Sequence, residues 1–509
     1  MLTVVVTIWI MSILFEYLAI RHYANVPIKN VLAFVTLLLI IVVPLFIVTD
    51  NAILGISLVA VSIYRLVNIA RLYAARLPVQ HAQSIMLRTL RILSAAQGVI
   101  FVAATTTMLF DRLVPIVLVL TTLAIVSFIG ALIIAVATIA NIWGSRAERT
   151  IELTNNEYPT LTVAIAARNE TPALMECLQS VVASTYPKLE ILVFDDNSQD
   201  TTAEIIKSFA QDGVRFITWE YSKGEWLSKN KAYQIMLEHA SGDIILFMGV
   251  DVRLEPLSLQ RAVEQMLVKN VTMLGLVPKR TKSGLLAVFV QPVRYWWELA
   301  VPKIARRRPP VLSTAWLVKR LPLLDIGGFT SYKRSIVPEE HLARYFSLQG
   351  SYSFIRSTQQ VLFTTQKTFS SQWDTQVRTR YPHAHRRPET AFIQSILLIC
   401  IVLYPFILLP LGALRSLDST IIMLSALAVA AYALSHIAIS VITNPIAGLF
   451  APINFPVAIL LDIIALHESM VKYEFSKVIW KGRDIAPKKL KVIAKLPSMS
   501  TTPDPESTH

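Results

Sequence analysis

Acidic residues recur after short apolar runs in the middle of this chain, and their side chains could do three kinds of chemistry. Asp195–Asp196, Asp251 and Glu339–Glu340 carry carboxylates, which accept hydrogen bonds, hold divalent cations and take up protons as general bases. Lys229 adds an ammonium group that could meet a phosphate as a point charge. Each residue also has a structural explanation, because acids often lie at helix starts and lysines often cover helix surfaces.

The elements that would position these side chains are predicted by the alternation of apolar runs with helical patterns. Strands that alternate with helices indicate a mostly parallel sheet, whose ligand site lies beyond the carboxyl ends of the strands. The sequence contains neither a GxGxxG fingerprint nor a Walker A loop, so nothing points to a dehydrogenase or a P-loop enzyme. The expected strands are Leu161–Ala166, Leu189–Phe194, Val214–Trp219 and Asp243–Met248, with helices at Pro172–Ser184 and Lys229–His239.

Composition places this segment inside a membrane protein. The chain has 509 residues, of which 54% are hydrophobic and 16% charged, and a mean hydropathy of +0.53; this is typical of a polytopic membrane protein with a soluble insert. The net charge of +14 is assigned to cytoplasmic loops that face anionic lipid, rather than to nucleic-acid binding. The two cysteines, Cys177 and Cys400, indicate neither a disulfide framework nor a zinc cluster.

Apolar stretches long enough to cross a hydrocarbon core of about 30 Å flank the insert. Basic residues concentrate in alternate loops, which predicts an outside N-terminus and a cytoplasmic insert. A weaker stretch, Ile446–Leu466, is interrupted by Pro452, Pro456 and Asp462, so an interfacial or re-entrant segment is expected there. The expected spans are Thr3–Ile20, Val31–Val48, Ile53–Ala70, Leu93–Phe110 and Leu113–Ile142 before the insert, and Phe392–Leu414 and Ile421–Ile442 after it.

Four motifs in this order resemble the catalytic domain of membrane-embedded family 2 glycosyltransferases, a superfamily that includes hyaluronan synthase, cellulose synthase and ceramide glucosyltransferase. They are Val163-Ala-Ile-Ala-Ala-Arg-Asn-Glu170, Phe194-Asp-Asp-Asn-Ser198, Phe247-Met-Gly-Val-Asp251 and Pro338-Glu-Glu-His341. The resemblance implies an α/β GT-A (Rossmann-like) cytoplasmic domain inserted between α-helical transmembrane blocks. We therefore assign residues 1–145 to an N-terminal transmembrane block, 158–390 to the GT-A domain, 391–470 to a C-terminal transmembrane or re-entrant block, and 471–509 to a basic tail.

The resemblance assigns a nucleotide-sugar donor to the first three motifs. In the family, the loop after the first strand contacts the base and ribose, and an acid at the position of Asp196 would accept a hydrogen bond from uracil. Lys229 lies in a stretch similar to the family's GKNxA and would meet donor phosphate, although a solvated helix-surface lysine explains it equally well. The donor-binding residues implied are Ala167, Arg168, Asn169, Glu170, Asp195, Asp196, Lys229 and Asp251.

Asp251 is also the metal ligand that the resemblance implies. It matches the second aspartate of the family's DxD motif, which holds Mg²⁺ or Mn²⁺ on the donor diphosphate. Gly249 replaces the first aspartate, so a catalytically silent family member is an open alternative. An aspartate introduced at position 249 is expected to keep or raise activity.

The fourth motif is similar to the family's ED segment, in which the second acid deprotonates the acceptor hydroxyl. Glu340 matches this general base, and Glu339 is left to orient the site; the acidic start of a helix also explains both. The stretch around Gln376 has the elements of the family's QxxRW motif but not its spacing, and Trp480-Lys-Gly-Arg483 resembles the ending of lipid-modifying relatives. The acceptor-side residues implied are Trp373, Gln376, Arg378, Arg380, Tyr381, Trp480 and Arg483.

The function implied is transfer of a sugar from a nucleotide-sugar, with UDP as the expected nucleotide, to a lipid or saccharide acceptor at the cytoplasmic membrane face, with inversion. The expected partners are the donor, the acceptor and membrane lipids, and not nucleic acid. The expected location is a bacterial-type plasma membrane, crossed many times. A silent nucleotide-sugar-binding protein and a processive polysaccharide synthase are the alternatives. A transporter is weaker, because too few intramembrane charges outline a path.

Overall fold

The structure is a computed structural model, and the expected spans from Thr3–Ile20 to Leu93–Phe110 lie outside its described residues. The chain divides into two compact units, of which one comprises Phe110–Val471 and Trp480–Arg483; the site described below lies in this unit. The described residues are 116–148, 151, 153–219, 226–281, 295–301, 309–366, 368–384, 386–415, 417–443, 451–475, 478–481 and 483–485.

Seven strands form the central sheet, in the order β3-β2-β1-β4-β8-β6-β9. All neighbours are parallel except β8, which runs antiparallel to both β4 and β6. The prediction of a mostly parallel sheet is therefore confirmed. The strands are β1 Leu161–Ala167, β2 Leu189–Asp195, β3 Val214–Thr218, β4 Ile244–Met248, β6 Met273–Val277, β8 Ala315–Lys319 and β9 Tyr352–Arg356.

Two smaller sheets complete the strand inventory of the described residues. One consists of β5 Val252–Leu254, β10 Phe363–Thr365 and β7 Lys279–Arg280, and the other of β11 Ile479–Trp480 and β12 Arg483–Asp484. The apolar helix α1 Ile116–Gly144 precedes the sheet domain. The helices of the sheet domain are α2 Thr171–Val182, α3 Thr202–Ser208, α4 Ser228–His239, α5 Ser258–Val268, α6 Arg320–Asp325, α7 Pro338–Leu348 and α8 Phe369–His383.

Helices cover both faces of the central sheet because its inner strands are apolar on both faces. Val163 and Ile165 of β1 point to one side and join a core with Leu178 of α2, whereas Ala164 points to the other side and joins a core with Met236 of α4. Since alternate side chains of a strand point to opposite faces, a continuous apolar run such as β1 requires cover on both. This packing leaves only the strand ends for polar side chains.

Long apolar helices precede and follow the sheet domain along the chain. Within the described residues, four helices are long and apolar enough to cross a membrane: Leu120–Gly144, Thr390–Gly412, Ser419–Thr443 and Ile453–Glu474. The second combines α9 Pro388–Leu397, a π-helical stretch Leu398–Leu403 and α10 Tyr404–Arg415, and the other two belong to α11 Ser419–Thr443 and α12 Ala451–Phe475. Their exposed side chains include Val136, Ile139 and Leu434, which suits a hydrocarbon environment.

The prolines and the aspartate of the stretch Ile446–Leu466 do not break its helix in the described part, because α12 is one continuous helix of 25 residues. Its interfacial or re-entrant placement stays a prediction. Pro452 is its second residue, where a missing N–H costs little. Pro456 removes a single hydrogen bond from the second turn. Asp462 is 1% exposed but is paired with Arg380, so the helix does not place an isolated charge among apolar groups.

Candidate active site

The carboxyl ends of three adjacent strands bring the first three motifs to one edge of the sheet. Ala167 at the end of β1 pairs in register with Asp195 at the end of β2, and Met248 at the end of β4 pairs with Ile165 of β1. Asp196 and Asp251 follow β2 and β4 directly or after a short turn. The motifs that are separated in sequence therefore meet at the edge where parallel sheets bind ligands.

The loops after β1 and β2 are held against each other by their own polar groups. Asn169 and Asn197 adopt left-handed backbone conformations with φ of 50° and 56°, which asparagine tolerates better than most residues. Arg168 donates to the carbonyl oxygens of Asp196 and, at 3.0 Å, of Asn197. The backbone N–H of Asn169 donates to Ser198 Oγ at 3.1 Å. Arg168 and Asn169 thus shape the loop; their proposed contact with a donor stays a prediction.

The adjacent residues Asp195 and Asp196 make different contacts. Asp195 accepts hydrogen bonds from the backbone N–H and the hydroxyl of Ser198, and so closes the turn after β2. Asp196 is 4% exposed, and its Oδ1 accepts from Arg483 Nη1 at 2.6 Å and from Trp219 Nε1 at 3.2 Å. Of the pair, Asp196 has the carboxylate that faces other elements at the edge.

A segment from the C-terminal part of the chain, Lys481–Arg483, contacts the same edge. Lys481 Nζ lies 2.9 Å from Glu170 Oε1, and the Lys481 carbonyl accepts from Arg168 Nε at 2.9 Å. Arg483 also donates to Ser228 Oγ. Arg483 thus lies beside Asp196, a residue that the resemblance assigns to the donor; its expected contact with an acceptor stays a prediction.

Sequence reasoning missed Lys481, and only its place between two motif residues could have suggested a role. The side chain of Trp480 lies outside the described residues.

Asp251 lies in the turn between β4 and β5, and its carboxylate occupies the space beside Gly249. A Cβ atom on Gly249 would lie 2.6 Å from Asp251 Oδ1 and 3.9 Å from the Thr314 carbonyl. Any side chain at position 249 must therefore displace the Asp251 carboxylate. The expectation that an aspartate there keeps or raises activity stays a prediction. The glycine is explained by this close approach.

Asp251 is the one residue that the resemblance assigns to a divalent cation, so the fit of a cation depends on its surroundings. Within the described ranges, no group of three or more His, Cys, Asp or Glu side chains is arranged to hold a metal ion. Mg²⁺ commonly binds through one or two carboxylates together with substrate phosphates and water. The residues present therefore fit a cation that arrives with a diphosphate, and not a site that holds metal by itself.

Lys229 is held inside the site and does not lie on a solvated helix surface. It is the second residue of α4, and its Nζ lies 3.4 Å from Glu339 Oε2 and 5.2 Å from the ring centroid of Tyr233. Glu339 is 2% exposed. Burial raises the pKa of Tyr233, and the nearby carboxylates of Glu339 and Asp251 raise it further, so Tyr233 remains a neutral phenol between the two acids.

Glu340 faces a different element from Glu339. Adjacent helical residues point about 100° apart, and Glu340 Oε1 lies 2.8 Å from His383 Nε2 at the end of α8, with side chains 14% and 11% exposed. Pro338 starts α7 at a position where its missing N–H costs nothing. The first turn of α7 thus directs one acid toward Lys229 and the other toward α8.

The expected acceptor-side residues of α8 are mostly used to attach this helix to α12. Arg380 Nη2 lies 2.6 Å from Asp462 Oδ2, and Trp373 Nε1 donates to Glu468 Oε2 at 3.0 Å. Gln376 and Tyr381 are 4% and 0% exposed, and Arg378 is half-buried. Contacts with an acceptor remain predictions for all five residues.

Two pairings were not expected from the sequence: Arg380 with Asp462, and His383 with Glu340. The partners of each pair lie 82 and 43 positions apart, as the numbering shows, and no local pattern encodes such contacts.

Comparison with known proteins identifies the sheet domain. Residues 162–319 match the model of Glycosyl transferase family 2. The glycosyltransferase AglE of Haloferax volcanii is 31% identical over 121 residues, which are 23% of this chain and 38% of AglE. The UDP-Glc:alpha-D-GlcNAc-diphosphoundecaprenol beta-1,3-glucosyltransferase WfgD of Escherichia coli is 28% identical over 133 residues, 26% of this chain and 51% of WfgD. The matches thus span about half or less of these relatives.

Among solved structures, the mannosyltransferase PcManGT from Pyrobaculum calidifontis, in complex with GDP-Man and Mn²⁺, aligns with a TM-score of 0.41 at 17% identity, over 61% of this chain and 97% of that one. The family match covers the strands that carry Asp196 and Asp251 to the common edge. Residues 162–319 are therefore a Glycosyl transferase family 2 domain.

Proposed function

We propose that this protein is an integral membrane glycosyltransferase that moves a sugar from a nucleotide-sugar, UDP-linked, to a lipid or saccharide acceptor at the cytoplasmic membrane face. The observation that carries the proposal is the family 2 domain whose sheet edge gathers Asp196 and Asp251. Lys229, at the start of α4, lies beside Glu339. The four apolar helices beside this domain support an acceptor at the bilayer surface. The name of the relative WfgD, with a UDP-sugar and a diphosphoundecaprenol-linked acceptor, supports the same substrate classes.

We retain the division into residues 1–145, 158–390, 391–470 and 471–509, with a GT-A domain as the second part.

The number of membrane crossings after the sheet domain supports an interfacial or re-entrant placement of α12. Lys481 and Arg483 contact the sheet domain, so the chain must cross an even number of times between α8 and Lys481. Among the described residues of this interval, three helices are long and apolar enough to cross. The last of them, α12, is the most buried of the three and contacts α8, so we assign two crossings and leave α12 at the interface.

On the donor side, Asp196 would accept a hydrogen bond from the base, and Lys229 would meet the diphosphate. Glu170 and the loop of Arg168 and Asn169 would bound the ribose. Asp251 would hold Mg²⁺ or Mn²⁺, which supplies positive charge to the leaving nucleoside diphosphate when it is bound. The Arg483 guanidinium, next to Asp196, adds a further positive charge at the edge that receives the anionic donor.

For the transfer itself, Glu340 is the proposed general base. Its carboxylate takes the proton of the acceptor hydroxyl, the hydroxyl oxygen bonds to the anomeric carbon, and the bond from that carbon to the diphosphate oxygen breaks. One in-line displacement inverts the anomeric centre and releases a nucleoside diphosphate. The 14% exposure of Glu340 leaves it open to an acceptor, whereas the more buried Glu339 is engaged with Lys229.

A catalytically silent protein that binds a nucleotide-sugar is the second candidate. Two observations favour it: Gly249 leaves a single acid at the metal position, and the Asp196 carboxylate is already paired with Arg483. A processive polysaccharide synthase finds less support, because Arg380 and Tyr381 of the QxxRW-like stretch are buried against α12.

The test is to incubate the purified protein in lipid with a panel of nucleotide-sugars, lipid extract and Mg²⁺ or Mn²⁺, and to measure released nucleoside diphosphate. Release that depends on both donor and lipid supports the transferase. Binding of a nucleotide-sugar without release, across the whole panel, supports the silent candidate instead.

A further inference from the structure

Helix α8 is attached to α12 by polar side chains. Asp462 and Ser469 are seven residues apart, which is two helical turns, so they lie on one face of α12. Polar contacts are directional, so they fix both the rotation of α8 about its axis and its position along α12. Apolar contacts do not fix these two quantities. The three contacts are Arg380 with Asp462 at 2.6 Å, Trp373 with Glu468 at 3.0 Å, and the Tyr381 N–H with Ser469 Oγ at 3.1 Å.

The Arg380–Asp462 pair is the most enclosed of these contacts. Their side chains are 9% and 1% exposed. Trp297 Nε1 donates to the same oxygen, Asp462 Oδ2, at 3.1 Å, and the Arg380 guanidinium lies 4.9 Å from the centroid of the Trp297 ring. A buried ion pair stabilises a fold no better than apolar residues of similar size would. Its distinctive property is geometry, because an unpaired charge excludes other arrangements of the two helices.

This pair lies about one helical turn from His383, the residue of α8 that contacts the proposed base. Arg380 and His383 are three residues apart on α8, so their side chains share one side of the helix. His383 Nε2 in turn lies 2.8 Å from Glu340 Oε1. Asp462, Arg380, His383 and Glu340 thus form a continuous series from the apolar helix α12 to the first turn of α7.

We infer that Asp462 is a positioning residue for the transfer reaction: through Arg380 it fixes the end of α8, and with it the position of His383 against Glu340. The inference rests on the proposed function and extends it to a residue of the apolar block. We expect loss of the Arg380–Asp462 pair to leave the positions of Asp196, Lys229 and Asp251 unchanged. The loss should therefore lower turnover without changing donor binding. A displacement of about 1 Å at a reacting group lowers rates by about 100-fold.

The experiment compares Asp462→Asn with Asp462→Glu in the purified, lipid-embedded protein. We expect Asp462→Asn to lower kcat about 10- to 100-fold, with the KM and Kd for the nucleotide-sugar unchanged, and Asp462→Glu to restore part of kcat. Asp374→Asn, an exposed acid on α8, is the matched control and should equal the wild type. A wild-type kcat in Asp462→Asn overturns the inference, as does an equal loss in the Asp374 control.

Two further variants separate positioning from folding. Asp462→Asn/Arg380→Gln leaves no unpaired charge, so it should fold even where Asp462→Asn does not, and the stoichiometry of donor binding measures the folded fraction. Asp462→Asn added to His383→Asn should slow the enzyme no further than His383→Asn alone, because residues that act through one another are not additive.

A wild-type kcat in Asp462→Asn/Arg380→Gln overturns the inference. Fully additive effects of Asp462→Asn and His383→Asn on kcat overturn it as well. If instead the wild type and the Asp374 control release no nucleoside diphosphate with any donor, it is the proposed function that fails.

Discussion

Arg483 Nη1 and Asp196 Oδ1 lie 2.6 Å apart although 287 positions separate the two residues in the chain. The Asp196 carboxylate is 4% exposed, and a buried carboxylate is costly without a charged partner. The Lys481–Arg483 segment therefore supplies a charge that the sheet domain needs. It also places that charge where the proposed function puts the nucleotide of the donor.

Arg483→Gln tests what this charge does for the donor. We expect a nucleotide-sugar affinity about 10-fold lower, since a hydrogen bond to a charged group contributes about 1.5–3 kcal/mol. The free energy of unfolding should fall by about 2–3 kcal/mol, because Asp196 loses its partner. Titration calorimetry with UDP and thermal unfolding in detergent measure the two effects, and Arg387→Gln, at an exposed arginine, is the control. A higher affinity in Arg483→Gln would mean that the arginine competes with the base for Asp196.

Asp251→Asn tests the cation. With one carboxylate proposed as metal ligand, we expect the variant to bind the nucleotide-sugar equally with and without Mn²⁺, whereas the wild type binds more tightly with Mn²⁺. Asp212→Asn, at an exposed acid of the short 3-10 helix Ala210–Asp212, should behave as the wild type. Titrations in Mn²⁺ and in a chelator give the comparison, and a Mn²⁺ effect that survives in Asp251→Asn places the cation elsewhere.

Gly249→Ala tests the close approach of Gly249 and Asp251 without adding an acid. The new Cβ would lie 2.6 Å from Asp251 Oδ1, so the carboxylate must rotate away, and we expect the Mn²⁺ dependence of donor binding to fall by about 10-fold or more. Gly144→Ala, where a Cβ meets no atom within 4 Å, is the matched control. An unchanged Mn²⁺ titration in Gly249→Ala would show that Asp251 is not the ligand, or that its rotation is harmless.

The sheet was predictable because its signals are local. Apolar runs such as Leu189–Phe194 stand out against helical spacing, and the structure extends that strand by a single residue, to Asp195. The placement of Asp196 and Asp251 at one edge follows from strand parallelism alone. No special chemistry of these residues was needed for that step.

The contacts that complete the site were not predictable, because they join distant segments. Arg483 was assigned to the acceptor from its motif, yet its length and charge let it reach Asp196. Arg380 was likewise assigned to the acceptor, and nothing in the sequence indicated its pairing with Asp462. In both cases the sequence identifies a charged side chain but not its partner, and desolvation makes the partner decisive.

Labelling tests the proposed membrane topology. Cysteine at Asp418, an exposed residue between α10 and α11, should react with an impermeant maleimide in intact cells, whereas cysteine at exposed Gln211 should react only after permeabilisation. The natural Cys177 is 0% exposed and burial raises the pKa of its thiol, and the unsubstituted protein measures the background from half-buried Cys400. A C-terminal tag should behave like Gln211, since Lys481 contacts the sheet domain. A tag accessible from outside would mean that α12 crosses the membrane.

Glu339→Gln and Glu340→Gln separate two acids that are adjacent in sequence but face different elements. Glu340→Gln removes the proposed proton acceptor at nearly constant shape, and the loss of a general base lowers rates by about 10²–10⁴-fold. Donor affinity should be unchanged, because the donor residues lie at the strand ends. Glu339→Gln removes the negative charge 3.4 Å from the Lys229 ammonium, so we expect a change in donor affinity together with a smaller loss of kcat.

Single-turnover rates and donor titrations on both variants distinguish the roles. Slow turnover with normal donor binding in Glu340→Gln, and altered donor binding in Glu339→Gln, match the directions in which α7 points the two side chains. If Glu339→Gln loses turnover while Glu340→Gln keeps it, the base is Glu339, and the contact of Glu340 with His383 serves only to hold α8 against α7. If both variants turn over normally, the acidic turn is a helix start and the proton leaves the acceptor by another route.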